Sequence, residues 1–376
     1  MPLAALAPSA RPLAAALLGA VLFGTAAPGR AQDLGAQVEA FAAQTGFSGV
    51  VLLADGETVT VRTFGFEEIE SSTVTRLDTR YQLGSVSKWL ATLVAFRLAD
   101  AGRLDLDRPI SAYLPEYRGN GADRVTLHHL VTHTSGVPNG LMTAFEAAGP
   151  AFLDEAMTPD EAVARLASGD LLFEPGARFD YAHANWIVVQ AILERVTGQP
   201  YAALVQTHLA APLGLSGTSI VTGGTFVGER LAVGYRSVDP PERADARFQG
   251  YLGATGGAVS TAPDLLALLD ALYGGGLLSP ALAARLDAVV VDEEGYASGG
   301  RVRTMDLGRG PETVAWHTGS NGPSKARLAR ATASGLTVLT LSNTGADPDE
   351  TGAFAETMLR AMALREGPAP PRRGRP

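Results

Sequence analysis

Ser85 and Lys88 stand three apart in Ser85-Val86-Ser87-Lys88, at the head of a stretch whose apolar residues recur at helical spacing. Those residues are Trp89, Leu90, Leu93, Val94, Phe96 and Leu98, and Gly102 stands where a helix would stop. Ser85 is therefore expected in the first turn of a buried helix, with Lys88 on the same face. A lysine walled by apolar neighbours is costly to keep charged, so its pKa falls toward neutrality. A neutral amine beside a hydroxyl can take its proton and turn serine into a nucleophile. The helix N-terminus favours negative charge developing nearby. Taken alone, the pair also fits a helix-start serine with a solvated lysine one turn on.

An activated serine further needs a proton donor for the leaving group and an oxyanion hole. Tyr181 lies after the turn Glu174-Pro175-Gly176 and just before a helix. Its phenol could pass protons if Lys88 lowered its pKa. His317-Thr318-Gly319 follows a strand run and precedes Ser320-Asn321-Gly322. Small residues on a strand edge let a substrate lie alongside and share backbone hydrogen bonds. His317 would add a donor, or a positive charge if protonated. Without that context Tyr181 reads as a core tyrosine and His317 as a surface histidine.

Other chemistries find less support. No G-x-S-x-G elbow is present, and no motif places a pair of carboxylates for a glycosidase. His128, His129 and His133 cluster in VTLHHLVTHTSGVP, with His129 and His133 four apart. No glutamate follows His129, so H-E-x-x-H is absent, and a packed helix end is favoured over a zinc site. The glycine run GYLGATGGAVS lacks the Lys-Ser/Thr of a phosphate loop and reads as a tight strand and turn.

The elements that must position these groups follow from patterning. Residues 34–44 carry Leu34, Val38 and Phe41 on one helical face. Two strand-like runs, 48–53 and 58–66, flank Asp55-Gly56, a hairpin signal. Thr158-Pro159-Asp160-Glu161 is a capping box with proline at the first helical position. Helices are expected at 185–197, from Pro200 to about Ala210, and at 261–273, 279–288 and 350–364; strands at 313–316, 325–331 and 336–342. Strands gather at both ends of the chain, so one sheet forms only if the ends pair. The expected fold is α/β of the α+β type: an antiparallel sheet flanked by N- and C-terminal helices, with an inserted, mostly helical lobe. The sheet lobe would span about 32–84 and 250–366, and the helical lobe about 85–249.

The chain of 376 residues is 46% hydrophobic and 18% charged, a globular composition. Residues 1–31 read as a secretory signal: an early Arg11, a short apolar run from Leu13 to Phe23, and Gly29-Arg30-Ala31 before Gln32. This implies a periplasmic or secreted protein without a stable membrane span after cleavage. Cleavage there removes two arginines and takes the net charge from −9 to −11. An acidic surface argues against nucleic acid as a partner. The absence of cysteine excludes disulfides, thiolate metal sites and a cysteine nucleophile. Residues 367–376, rich in Pro and Arg, read as a disordered tail. Oligomeric state is left open.

Three elements in this order, about a hundred residues apart, resemble the penicillin-recognising serine hydrolases: class C β-lactamases, serine DD-peptidases and related esterases. The match is Ser85-Val86-Ser87-Lys88, then Tyr181-Ala182-His183, then His317-Thr318-Gly319. Supporting stretches are 131–136, 174–176, TGGAVSTAPDL at 255–265, and the final strand into Leu341-Ser342-Asn343. The resemblance implies a β-lactamase/transpeptidase-like fold over about 32–366. It implies Ser85 as nucleophile, with Lys88 and Tyr181 sharing the base role in an order the sequence leaves open. It implies His183, His317, Thr318, Gly319 and Ser320 for substrate, with backbone N–H groups of Ser85 and Ser320 as the oxyanion hole. No metal or organic cofactor is implied. The substrate that the resemblance implies is a D-amino-acid peptide, a β-lactam or a small ester. Two positions depart from the pattern: His183 stands where Asn is usual, and the third motif begins with His rather than Lys. The alternatives are a non-catalytic cell-wall-binding or β-lactam-sensing module on the same fold and, more distantly, a zinc hydrolase built on the three clustered histidines.

Overall fold

The computed structural model describes residues 33–365 except 57, 225, 227, 245 and 246. The export signal read at 1–31 and the tail read at 367–376 lie outside the described residues.

Helix α1 (Leu34–Thr45) ends on Gly46 in the left-handed region and feeds strand β1 (Gly49–Asp55). Gly56, at φ 61°, turns the chain into β2 (Thr58–Phe64), so the Asp-Gly hairpin forms as the sequence signals. Helix α2 (Ser87–Asp100) follows the turn that carries Ser85, and α3 (Ala184–Thr197) follows Tyr181. The C-terminal run brings β3 (Arg301–Asp306), β4 (Pro311–Asn321), β5 (Ser324–Ala331), β6 (Thr337–Ser342) and helix α4 (Pro348–Arg365). The six-stranded sheet runs β3-β4-β5-β6-β1-β2, antiparallel throughout. The two ends of the chain do pair: Gly49 lies opposite Ser342 and Val51 opposite Thr340.

Both faces of this sheet are covered, which is why β1 reads as an unbroken apolar run. Val51 and Leu53 face α1 and α4, packing with Val38, Val338, Phe354 and Met358. Phe41 of α1 stacks on Phe354 of α4 at 4.1 Å. Val50 and Leu52 face the other way, into the main core with Leu90, Leu93, Trp186 and Leu339. Every residue of α2 from Ser87 to Phe96 is buried, so it is a central helix with no solvent face.

Between Gly250 and Arg301 the chain is largely helical, with Gly253–Gly256, Ala262–Tyr273 and Pro280–Leu286. The glycine run is a short helical turn, Gly250–Leu252 and Gly253–Gly256, before a strand at Ala258–Ser260. Strand β3, RVRTMD, carries no sequence signal because charged and apolar residues interleave on an exposed edge. β4 extends through the His317 motif to Asn321. The capping box at Thr158 and Glu161 forms as read. Among the described residues no helix is long and apolar enough to cross a membrane.

Candidate active site

Ser85 sits in a 3₁₀ turn, Gly84–Val86, that leads directly into α2. Lys88 follows in the first turn of α2 and has no exposed surface. Its ammonium lies 3.1 Å from Ser85 Oγ and 2.6 Å from the carbonyl of Thr255. No carboxylate forms an ion pair with it among the described residues. Burial alone pulls its pKa down to about 7. At neutral pH a substantial fraction is therefore free amine, beside the hydroxyl it would deprotonate. The Thr255 carbonyl comes from the glycine-run helix, a backbone partner that no residue type announces.

Tyr181 closes the third corner. Its hydroxyl shares a hydrogen bond with Ser85, and Lys88 Nζ lies 5.3 Å from the centre of its ring. Its pKa is pushed up to about 12, chiefly by burial. The expectation that Lys88 would lower it is therefore corrected. Burial outweighs the groups that favour the phenolate, because the desolvated phenolate is the more costly species.

His133 stands behind this tyrosine. The imidazole stacks on the Tyr181 ring at 4.2 Å and is wholly buried. Its backbone is left-handed, at φ 57°. Ala182 N–H faces Nδ1 at 3.0 Å and Trp186 Nε1–H faces Nε2 at 3.2 Å. A neutral ring has one bare nitrogen, so one of these donors is accepted. His129 instead closes a capping box with Thr126. Among the described residues no three His, Asp or Glu side chains converge as a metal site. His133→Leu should lower stability by about 1–3 kcal/mol through a stranded buried donor, read by urea unfolding. It should also lower kcat through loss of the Tyr181 support. Unchanged stability would mean the ring carries neither role.

Strand β4 supplies the remaining wall. β3 pairs with β4 only as far as Arg301 opposite Trp316, so the motif beyond it has no strand on that side. Its other edge is paired with β5. Two glycines let β4 and the Ser85 turn touch backbone to backbone. A Cβ at Gly319 would lie 1.8 Å from the Leu83 carbonyl oxygen, and one at Gly84 would lie 2.3 Å from Ser320 N. Gly84 also needs its left-handed φ of 51°. The backbone amides of Ser85 and Ser320 are thereby brought to one corner.

His317 is 1% exposed, not a surface histidine. Its Nδ1 lies 2.6 Å from the Thr318 carbonyl oxygen, a bond only a protonated Nδ1 can donate, and Nε2 has no partner. Burial first, then Lys88, holds its pKa down to about 3. His317 is thus a neutral, buried ring, not the cation the sequence allowed for. His183 lies edge-on to Tyr181 at 5.3 Å, and burial followed by Lys88 lowers its pKa to about 3. It is neutral and does not line the cavities beside Ser320. Asn185 bonds Ser135 Oγ and the Leu130 carbonyl, so it does not take the place of an Asn at position 183.

Two cavities meet at Ser320. One of about 310 Å³ is lined by Ser85, Tyr181, His317, Thr318 and Gly319, and by Arg301. The other, of about 640 Å³, is bounded by Phe145, Pro150, Leu153 and Phe248. Arg301 was not legible from the sequence: a lone arginine on an edge strand carries no signal. It pairs with Glu294 at 3.3 Å and lies over the rings of Tyr296 and Trp316.

A family described as Beta-lactamase matches residues 34–361. Esterase EstB of Burkholderia gladioli is 36% identical over 203 residues, covering 50% of this chain and 50% of that protein. The chain spans about half the length, or less, of the first curated relatives it matches. EstCE1, described as a hydrolase with promiscuous acyltransferase activity, superposes with a TM-score of 0.72 at 25% identity, covering 88% of this chain and 98% of that one. A D-stereospecific amidohydrolase from Streptomyces sp. superposes with a TM-score of 0.70 at 25% identity, covering 84% and 95%.

Proposed function

Since the chain belongs to the Beta-lactamase family, we propose that it is a serine hydrolase that cleaves an ester or amide through an acyl group carried on Ser85. Lys88, as the free amine, takes the Ser85 proton while Oγ attacks the carbonyl. The backbone N–H groups of Ser85 and Ser320 receive the oxyanion. Tyr181, still protonated, relays a proton toward the leaving group. Water then releases the acyl group by the same path in reverse. The assignment of Lys88 rather than Tyr181 as the resting base rests on their opposite pKa shifts: about 7 for the amine and about 12 for the phenol.

One observation carries this reading: a fully buried lysine with no counter-charge, held 3.1 Å from a serine hydroxyl by a backbone carbonyl on its far side. Burying an ammonium this way costs stability, and a purely structural lysine gains nothing from it. Small esters are favoured as substrates by the likeness to EstB and EstCE1, and D-amino-acid amides or peptides by the likeness to the amidohydrolase. Residues 1–31 support export to the periplasm or beyond.

The test is covalent. A fluorophosphonate should add to Ser85, seen as a single adduct on the peptide holding residue 85 by mass spectrometry, and p-nitrophenyl ester turnover should vanish in Ser85→Ala. Absence of both the adduct and ester, peptide or lactam turnover would favour the non-catalytic binding module instead.

A further inference from the structure

The glycine run from Gly250 to Gly257 supplies the carbonyl that holds Lys88, yet it is poorly made to hold itself. Four of its eight residues are glycine, and its helical pieces, Gly250–Leu252 and Gly253–Gly256, are single turns. A single turn leaves its first N–H groups unpaired, and glycine has the most freedom to lose on ordering. The upstream part of the run is gripped from outside by Gln190 of α3, a residue 2% exposed. Gln190 Oε1 accepts from Ala254 N–H at 3.0 Å, and Nε2 donates to the Gly250 carbonyl at 2.8 Å. Nε2 also donates to Glu194 Oε1 at 3.0 Å, an oxygen that accepts from Tyr201 N–H as well. Both ends of the amide are bonded, which fixes its orientation. Among the described residues no other side chain bonds the backbone of Gly250 to Ala254. Past Thr255 the chain is tied down separately, by Asn321 Nδ2 on the Gly256 carbonyl at 3.0 Å and by Ser87 Oγ on Ala258 N–H at 2.9 Å.

Thr255 lies between these two sets of ties, and its carbonyl accepts from Lys88 Nζ at 2.6 Å. Resting on the hydrolase reading, we propose that Gln190 is a positioning residue for the Lys88 base: it fixes the upstream side of the glycine turn and, through the Thr255 carbonyl, aims the amine at Ser85. Gln190 lines neither cavity beside Ser320, so it acts only through the turn. Helix α3 then serves both proton carriers, since Tyr181 stands just before its first residue and Gln190 holds the turn behind Lys88. A base displaced by about an ångström loses rate far more than it loses binding. The carbonyl also favours the ammonium, because a hydrogen bond to the charged form stabilises that form. Slackening the turn should therefore carry the Lys88 pKa further below its present value of about 7.

The experiment compares wild type with Gln190→Met, which keeps the length and helix propensity of the side chain but has no amide. The chain contains two lysines, Lys88 and Lys325, so NMR of protein carrying ¹³C at lysine Cε follows Lys88 directly, with Lys325→Arg assigning the two signals. Tyr181, His133, His183 and His317, the titratable groups that face Lys88, are all neutral around pH 7, so the titration seen there is that of the amine. In Gln190→Met its midpoint should fall by roughly half a pH unit or more. The kcat for p-nitrophenyl acetate, taken on the plateau above the midpoint, should fall by about 10–100-fold with KM little changed. A residue that only supports the fold would lower Tm and leave both readings where they are. An unmoved midpoint or a full plateau kcat would overturn the proposal; so would a midpoint that rises, which is what water admitted beside Lys88 would produce. Should Gln190→Met not fold, Gln190→Asn, whose amide is one methylene short, should give the same two changes in smaller measure, and the same results would overturn the proposal. If wild type cleaves no ester, peptide or lactam faster than Ser85→Ala, the hydrolase reading falls, while the NMR titration still decides whether Gln190 sets the state of Lys88.

Discussion

Lys88→Met should lower kcat/KM for an uncharged ester by about 10²–10⁴-fold, the usual worth of a positioned base, and make the protein more stable. The activity argument starts from the pKa of about 7. Below it Lys88 is an ammonium and cannot accept the Ser85 proton; above it the amine is free. Wild-type kcat/KM should therefore rise with pH and level off above about 7. The variant should lose that inflection together with the rate.

The stability argument uses the same shift with its sign followed through. Burial lowers the folded-state pKa from 10.5. Between about 7 and 10.5 the unfolded chain holds a proton that the folded chain has released, so stability rises with pH across that window. Below it both states are protonated and the full cost of burying the charge remains. Methionine removes that cost but takes one partner from Ser85 Oγ and leaves the Thr255 carbonyl without the ammonium donor. The net gain at pH 7 should be about 2–4 kcal/mol, fading as pH approaches 10.5. Urea unfolding at pH 7 and pH 10 measures it. A variant that keeps the inflection, or is destabilised equally at both pH values, would remove Lys88 from the base role.

Gly319→Ala should lower kcat by about 10²–10³-fold, the loss expected when one oxyanion donor is displaced. The single added carbon would sit 1.8 Å from the Leu83 carbonyl oxygen, and neither backbone can yield without the other. β4 must move away from the Ser85 turn, taking Ser320 N–H with it. Overpacking at this point should cost about 1–3 kcal/mol of stability as well, seen as a lower Tm. The inflection near pH 7 should stay where it is, because Lys88 and its Thr255 partner are untouched. That pattern, lost rate with an unmoved pH profile, separates a displaced oxyanion donor from a disturbed base. Full kcat in Gly319→Ala would mean that the close approach serves packing alone.

Much of the architecture was legible because burial leaves period and punctuation in the chain. The strand-like β1 run, the Asp55-Gly56 turn and the Thr158 capping box each report a local rule that the structure obeys. Pairing of the chain ends followed from where strands were placed. β3 was missed because an exposed edge strand with interleaved charges has no apolar face to display. The helical turn in the glycine run was missed because its place is fixed by the elements it packs against.

The site divides along the same line. Residue types and spacing alone named a serine and a lysine, since i and i+3 on a helix are neighbours whatever the fold, and the tyrosine entered with the family resemblance. The fall of the Lys88 pKa was legible in the apolar run around it; only the tertiary structure showed that Tyr181 keeps its proton and that His317 and His183 are uncharged, because desolvation is a property of what surrounds a group. Only the tertiary structure, too, brought in Thr255, His133, Arg301 and Gln190. Their parts come from a backbone carbonyl, a stacked ring, a cation and a buried amide whose neighbours lie on distant segments, and distance along the chain carries no record of such meetings.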